Sequence, residues 1–130
     1  VIDATDQLEN KFLINDVCVS VEKPFVHGGI TGFSGQGMTY VPEKGPCYRC
    51  IFGEVPEDNA PAPIPVIGVT AGMIGTIQAA EAIRYLLGIP SLLTGKLLVL
   101  DGLRMQFRTV PFPHVSEHCP LHTRKGVTDL

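Results

Sequence analysis

The stretch that decides the fold is "VIDATDQLENKFLINDVCVSVEKP", residues 1–24, in which a short apolar run leads into a helical pattern. Its first two residues predict the end of a buried strand, and a strand does not fold alone, so we expect the upstream half of a larger sheet to be missing. Apolar residues then recur at helical steps. They are Leu8, Phe12, Leu13, Val17 and Val21. Thr5 or Asp6 is the predicted helix N-cap, and Pro24 is the predicted stop.

The rest of the chain alternates strand and helix signals. Residues 24–33 and 35–41 predict two strands joined by a glycine-rich turn, and the proline-rich segment 53–65 predicts an extended surface crossing. Residues 68–88 predict a helix that begins at Thr70, ends at Gly88 and is buried on most sides. Residues 96–112 predict a hairpin around an Asp-Gly turn. The order of these elements indicates an α/β fold.

Composition limits the possible functions. The chain has 130 residues, a hydrophobic content of 45% and a net charge of −3, which fits one folded domain and argues against nucleic acid as a partner. Its apolar runs are too short to span a membrane, and no signal peptide opens the chain. Four cysteines are too few for a disulfide scaffold. We therefore expect a cytoplasmic protein with reduced thiols and no membrane partner.

Two short cysteine motifs predict a metal site. Cys47 and Cys50 are separated by two residues, and Cys119 and His122 repeat that spacing near the C-terminus. Three thiolates and one imidazole are an ordinary ligand set for tetrahedral zinc, and a site filled by four side chains is structural. His118 is a rival fourth ligand. A redox dithiol at Cys47 and Cys50 is the competing interpretation. Both motifs are predicted to lie in loops.

Asp3 and Asp6 stand where the predicted first strand passes into the helix. Ligands of α/β sheets gather at the carboxyl ends of strands, and a carboxylate there can hold Mg²⁺ on nucleotide phosphates. The simpler alternative is that Asp6 only caps the helix. The glycines of "GGITGFSGQG", residues 28–37, are followed by a strand rather than a helix, so they do not form a dinucleotide-binding fingerprint.

Taken together, these pieces resemble the MoeB/ThiF/HesA family, relatives of the ubiquitin-activating enzymes. The resemblance lies in "DATDQLENKFLIND", "PFVHGGITGFSGQ", "GPCYRCIF", "GVTAGMIGTIQAAEAIRYLLG", the "LLVLDG" hairpin and the closing "CPLH". The match runs through residues 1–130 as a single partial domain that corresponds to the C-terminal half of the family domain. It implies a Rossmann-like mixed sheet with a zinc-stapled loop and a terminal hairpin.

The resemblance also implies an activity. Members of the family bind MgATP and adenylate the C-terminal glycine of a ubiquitin-like protein, often a sulfur carrier for thiamin or molybdopterin synthesis. They work as homodimers and commonly carry a structural zinc. Asp6 matches the family's catalytic aspartate, which lies at the Mg-ATP site. The zinc ligands would be Cys47, Cys50, Cys119 and His122.

The chain also departs from the family pattern. The glycine-rich nucleotide loop and the phosphate-binding Lys and Arg residues belong to the N-terminal half, which is absent here, so we expect this chain alone to be inactive. His122 replaces the usual last zinc cysteine, and Gln7 stands where Asn is usual. Residues 60–68 lack the cysteine that many members carry in this region. The alternative function is a zinc-stabilised, non-catalytic module that docks the tail of a ubiquitin-like protein.

Overall fold

The computed structural model describes residues 1–58, 60, 62–90 and 92–123. Within them the chain forms five strands and four helices. The strands are β1 (Ile2–Asp3), β2 (Phe25–Thr31), β3 (Ser34–Tyr40), β4 (Lys96–Asp101) and β5 (Gln106–Pro111). The helices are α1 (Leu8–Ser20), α2 (Tyr48–Phe52), α3 (Gly68–Leu86) and α4 (Pro120–Thr123).

The strands form one mixed sheet in the order β1-β2-β3-β4-β5. β1 is parallel to β2, and every later neighbour is antiparallel. The predicted α/β fold, the strand pair after α1 and the terminal hairpin are therefore confirmed. The described part of the segment 53–65 contains no helix or strand, as expected, and it rejoins the sheet where the Gly32 amide donates to the Pro65 carbonyl over 2.8 Å.

Helices cover both faces of the sheet. Along β2, Phe25 and His27 point to one face, and Val26 and Gly28 point to the other, because side chains alternate along a strand. The first face packs against α1 and α2, with His27 against the Tyr48 ring. The second packs against α3. The main core lies on the first face and comprises Phe12, Cys18, Val19, Phe25, Met38, Tyr40, Cys47, Tyr48, Leu97 and Cys119.

The predicted buried faces of the helices are wrong in part. In α1, Leu13, Val17 and the following Val21 are exposed, whereas Lys11 and Asn15 are buried. In α3, the buried positions are Thr70, Ile74, Gln78 and Glu81, and several large apolar residues are exposed, so this helix is not buried on most sides. Three of these four α3 side chains are polar. Gln78 and Glu81 bond to the rest of the fold, as Lys11 and Asn15 do from α1, whereas the Thr70 hydroxyl is buried without a hydrogen-bond partner among the described residues.

The predicted helix starts also need correction. α1 begins after Gln7 and has no side-chain cap, so neither Thr5 nor Asp6 caps it. α3 begins at Gly68, and Thr70 lies buried in its first turn rather than at the cap position. Gly88 does mark the end of α3, with φ +68° and its N–H donated to the Tyr85 carbonyl. That conformation is favourable for glycine.

Close packing of α3 on β2 depends on the absence of a side chain at Gly28. A Cβ there would lie 2.4–2.6 Å from the Gln78 amide group, which donates to the carbonyls of Asp3 and Val26. At Gly29, by contrast, a Cβ would meet its neighbours at an ordinary 3.5 Å. The two adjacent glycines therefore form a matched pair.

We expect Gly28→Ala to lower the free energy of unfolding by about 1–3 kcal/mol, because the added methyl displaces the Gln78 amide from its two acceptors. Gly29→Ala is the control and should cost little or nothing. Urea denaturation followed by circular dichroism gives both values. Equal stability of the two variants would show that α3 does not need the close approach at Gly28.

Candidate functional site

The two cysteine motifs meet in one cluster. Cys47, Cys50, Cys119 and His122 each bring one potential ligand atom to within 4.8 Å of the others. The Sγ of Cys47 lies 3.7 Å from that of Cys50 and 3.7 Å from that of Cys119. Tetrahedral zinc with bonds of roughly 2.3 Å separates its sulfur ligands by about 3.8 Å. The spacing of the sulfur atoms therefore fits a four-coordinate ion.

The histidine fits the same interpretation. The Nε2 atom of His122 is buried without a hydrogen-bond partner among the described residues, and a buried polar atom left unpaired is costly. A metal ion would satisfy it. His118 is exposed and does not belong to the cluster. The structure thus brings together the four residues that the spacing selected and leaves the rival histidine outside.

Two equivalent turns aim these ligands. The Cys50 N–H donates to the Cys47 carbonyl over 3.1 Å, and the His122 N–H donates to the Cys119 carbonyl over 3.1 Å. Each turn continues into a short helix, since Cys50 lies in α2 and His122 in α4. The prediction that both motifs lie wholly in loops is therefore wrong. A one-turn helix folds the second ligand of each pair back towards the first.

The thiols strongly influence one another. A hydrogen bond from Cys47 lowers the pKa of Cys50, whereas that same bond and burial raise the pKa of Cys47. Burial also raises the pKa of Cys119. Three thiols this close cannot all ionise on their own, because their negative charges repel. A divalent cation removes that repulsion and binds the thiolate form.

The turn that holds Cys47 and Cys50, the cysteine turn, is attached to α1. The Tyr48 N–H donates to the Asn15 side-chain oxygen over 2.8 Å, and Asn15 is fully buried. Arg49 donates to both carboxylate oxygens of Asp16, at 2.6 and 2.7 Å. The Arg49 guanidinium also lies 4.8 Å from the centre of the Phe12 ring. Helix α1 and the cysteine turn are thus held together by charge, hydrogen bonding and ring contact.

A second polar cluster lies at the end of β1. Asp3 is 1% exposed, and its Oδ1 accepts hydrogen bonds from the N–H and the hydroxyl of Thr5, at 3.0 and 2.7 Å. Its Oδ2 lies 3.3 Å from the Lys11 ammonium and 3.1 Å from Nδ1 of His27. The Lys11 ammonium also donates to the Gly28 carbonyl over 2.7 Å. Sequence reasoning missed Lys11 and His27.

The charge state of this cluster follows from its contacts. Burial alone would raise the pKa of Asp3, but hydrogen bonds from His27 and Thr5 and the charge of Lys11 hold it well below its usual range. Burial lowers the pKa of His27, so this ring is neutral near pH 7. Burial also lowers the pKa of Lys11, partly offset by the charges of Asp3 and Asp6. The cluster is therefore an ion pair with a neutral histidine beside it.

Asp6 is placed differently from Asp3. It is exposed at the junction between β1 and α1, and within the described residues its carboxylate makes no hydrogen bond or ion pair. Asp3, by contrast, is buried and fully engaged. The sequence put both carboxylates at this junction, and the structure separates them into an internal anchor and an outward-facing group with unused acceptor capacity.

Comparisons with known proteins agree with this arrangement. The fold, a mixed sheet with helices on both faces, is that of MccB and the ThiF-type activating enzymes. Structures of E. coli MccB solved with MccA-N7isoASN and with ATP match 92% of the chain, at TM-scores of 0.77 and 0.76 and identities of 16% and 18%. The chain spans 39% and 38% of those two proteins. At these identities the likeness defines the fold alone.

Sequence comparison identifies the family of the chain. The ThiF family profile matches residues 1–121, so the chain belongs to the ThiF family. A SAMP-activating enzyme E1 of Haloferax volcanii is 43% identical across the whole chain, which covers 48% of that protein. The adenylyltransferase and sulfurtransferase MOCS3 of Culex quinquefasciatus is 39% identical over 85% of the chain, which covers 26% of it. The chain thus spans about half, or less, of these relatives.

None of the helices within the described ranges is both long enough and apolar enough to cross a bilayer.

The Asp3 cluster gives the protein a defined acid sensitivity. Because the pKa of Asp3 is lowered on folding, its contribution to stability is complete above its ordinary value of 3.8 and is lost as the pH falls below that value. The wild-type free energy of unfolding should fall in this range by up to about 1.4 kcal/mol per pH unit for this one proton. The pKa of His27 is also lowered, so its contribution to stability is present above its ordinary pKa of 6.5 and is lost as the pH falls below 6.5.

We therefore expect Asp3→Asn to be less stable at pH 7 but to have a flatter dependence below pH 3.8. Urea melts of both proteins between pH 5 and pH 2.5 measure the difference. Parallel curves for the two proteins would mean that the fold does not stabilise the ionised form of Asp3.

Proposed function

We propose that this chain is part of an enzyme that adenylates the C-terminal glycine of a ubiquitin-like sulfur-carrier protein at the expense of MgATP. The observation that carries the proposal is the exposed Asp6 carboxylate, set at the carboxyl end of a strand in a ThiF-family sheet. The relatives support the reaction class, since they are a SAMP-activating enzyme and adenylyltransferases. The proposal extends to a homodimer and to a cytoplasmic location.

The chemistry suits a carboxylate at that place. In the proposed reaction the glycine carboxylate attacks the α-phosphorus of ATP, a new acyl–phosphate bond forms, and pyrophosphate leaves. Mg²⁺ would supply charge neutralisation on the phosphates as pyrophosphate departs. Asp6 offers the oxygen ligand that Mg²⁺ prefers, and its exposure leaves it free to meet a bound nucleotide. The chain spans 48% of its archaeal relative, so the proposal assigns the glycine-rich nucleotide loop to residues outside these 130.

In this proposal the metal ion has a structural role and takes no part in the reaction. Cys47, Cys50, Cys119 and His122 would hold one structural Zn²⁺ with every coordination position filled by protein. No ligand position is left for water or substrate, so these residues would stabilise the fold rather than react. A redox role for Cys47 and Cys50 would require the thiols to be free of metal.

Asp6→Asn tests the catalytic assignment. In the protein that carries this chain together with its nucleotide loop, we expect ATP–pyrophosphate exchange in the presence of the carrier protein to fall by roughly 10²-fold or more, because an amide is a poor ligand for Mg²⁺. Glu43→Gln removes an exposed carboxylate elsewhere and should leave exchange unchanged. Exchange by Asp6→Asn within twofold of the wild type would refute the assignment. A wild-type protein without exchange would instead favour a non-catalytic docking module.

Metal analysis tests the zinc assignment. The purified chain should contain one zinc per molecule, and Cys47→Ser or His122→Ala should lose it and lower Tm by about 10 °C or more, since structural zinc contributes directly to folding. His118→Ala is the matched control and should keep both metal and Tm. Metal loss from His118→Ala with retention in His122→Ala would reverse the choice of ligand.

A further inference from the structure

The side chain of Lys11 is buried beneath the turn that carries Asp6. Lys11 is 8% exposed and reaches back from the first turn of α1, so that its ammonium lies between Asp3 Oδ2, at 3.3 Å, and the Gly28 carbonyl, at 2.7 Å. Lysine is rarely buried in this way unless its charge is paired. Because burying an ammonium group costs desolvation free energy, we expect Lys11 to do more than fill space.

Lys11 closes a ring of contacts around the Asp6 turn. Its backbone N–H donates to the Gln7 carbonyl over 3.3 Å, as the first hydrogen bond of the helix, and its side chain pairs with Asp3. Asp3 in turn holds the N–H and the hydroxyl of Thr5. Asp6 is therefore flanked by two restrained neighbours, Thr5 on one side and Gln7 on the other. It is bonded directly to both in the chain, so little backbone freedom remains at Asp6 itself.

The surrounding elements fix the far side of this ring. The Gln78 amide, on α3, donates to the Asp3 carbonyl over 2.6 Å. His27, on β2, lies against Asp3 Oδ2 and approaches the Gln36 amide on β3 at 3.3 Å. Asp3 is thus held from α1, α3 and β2 at once. Because α1 has no side-chain cap, these buried contacts replace the cap in fixing where the helix starts.

We propose that Lys11 is a positioning residue for Asp6, which it holds in place through Asp3 and Thr5 without touching the nucleotide itself. This inference rests on the proposed function of Asp6. Catalysis by a carboxylate on Mg²⁺ depends on its placement, and a shift of about 1 Å at a reacting site can cost up to 10²-fold in rate. The Lys11–Asp3 pair restricts the movement of the turn that carries Asp6. It adds no net charge beside the Mg²⁺ site because the two charges cancel.

The test compares Lys11→Met, which keeps the length and loses the charge, with Lys11→Arg, which restores a buried cation. In the protein with its nucleotide loop, Lys11→Met should lower kcat for ATP–pyrophosphate exchange by roughly tenfold, with KM for ATP within about twofold. Lys11→Arg should recover kcat to within about threefold. Lys23→Met, at an exposed lysine just beyond α1, is the matched control and should match the wild type.

A second measurement separates positioning from stability and does not need activity. Amide hydrogen exchange should show the Thr5 N–H losing about tenfold or more of its protection in Lys11→Met, while the Leu100 N–H in β4 keeps its protection. Lys11→Arg should restore the protection of Thr5. If Lys11→Met does not fold, Asp3→Asn combined with Lys11→Met leaves no unpaired buried charge and should show the same local loss.

The outcomes divide clearly. Unchanged Thr5 protection in Lys11→Met, or a fall in protection that is uniform from Thr5 to Leu100, would overturn the positioning role. Unchanged kcat with lost Thr5 protection would also overturn it, because the turn would then be loose without consequence. A wild-type protein that shows no exchange with any carrier would defeat the proposed function of Asp6 instead, while Thr5 protection would still report on what Lys11 restrains.

Discussion

The buried carboxylate of Asp3 is the contact on which the arrangement of the first half of the chain depends. It ends β1, pairs with Lys11 of α1 and meets His27 of β2, so three elements join at one side chain. Removing a carboxylate from water costs several kcal/mol unless hydrogen bonds and opposite charge compensate. Here Thr5 supplies two of those bonds. The start of α1 is consequently defined from inside the fold rather than by a capping residue at its surface.

The same principle recurs elsewhere in the molecule. Glu81 on α3 is 3% exposed and accepts the Thr39 hydroxyl at 2.6 Å and the Leu93 N–H at 2.7 Å, which ties the helix to β3 and to the segment before β4. Asn15 does the same between α1 and the cysteine turn. These buried groups are satisfied, so they specify one packing arrangement without leaving an unpaired donor or acceptor. Both helices therefore pack through tethers, meaning buried polar side chains hydrogen-bonded to another element, as much as through apolar contact.

These buried polar contacts explain which features of the fold could be predicted from the sequence and which could not. The order of elements, the hairpin and the meeting of the two cysteine motifs were predictable, because strand alternation, turn residues and ligand spacing are local signals. The buried faces of α1 and α3 were not, because apolar periodicity assumes that buried positions are apolar. Lys11 and Gln78 violate that assumption. The helix over residues 68–88 was predicted to be buried on most sides, yet its apolar Leu86 is 81% exposed. Which polar residue is a tether depends on partners far away in sequence, as Gln78 and Asp3 illustrate.

The cysteine cluster and the Asp6 turn are linked through shared neighbours. Tyr48, between two proposed zinc ligands, packs its ring 4.7 Å from that of His27 and 5.0 Å from that of Phe12. His27 is the same ring that contacts Asp3. Arg49 pairs with Asp16 of α1 and so helps to orient that helix against the cysteine turn. The cysteine cluster and the Asp3 cluster below the Asp6 turn are therefore connected by packed side chains, Tyr48 and His27, rather than by a shared ligand.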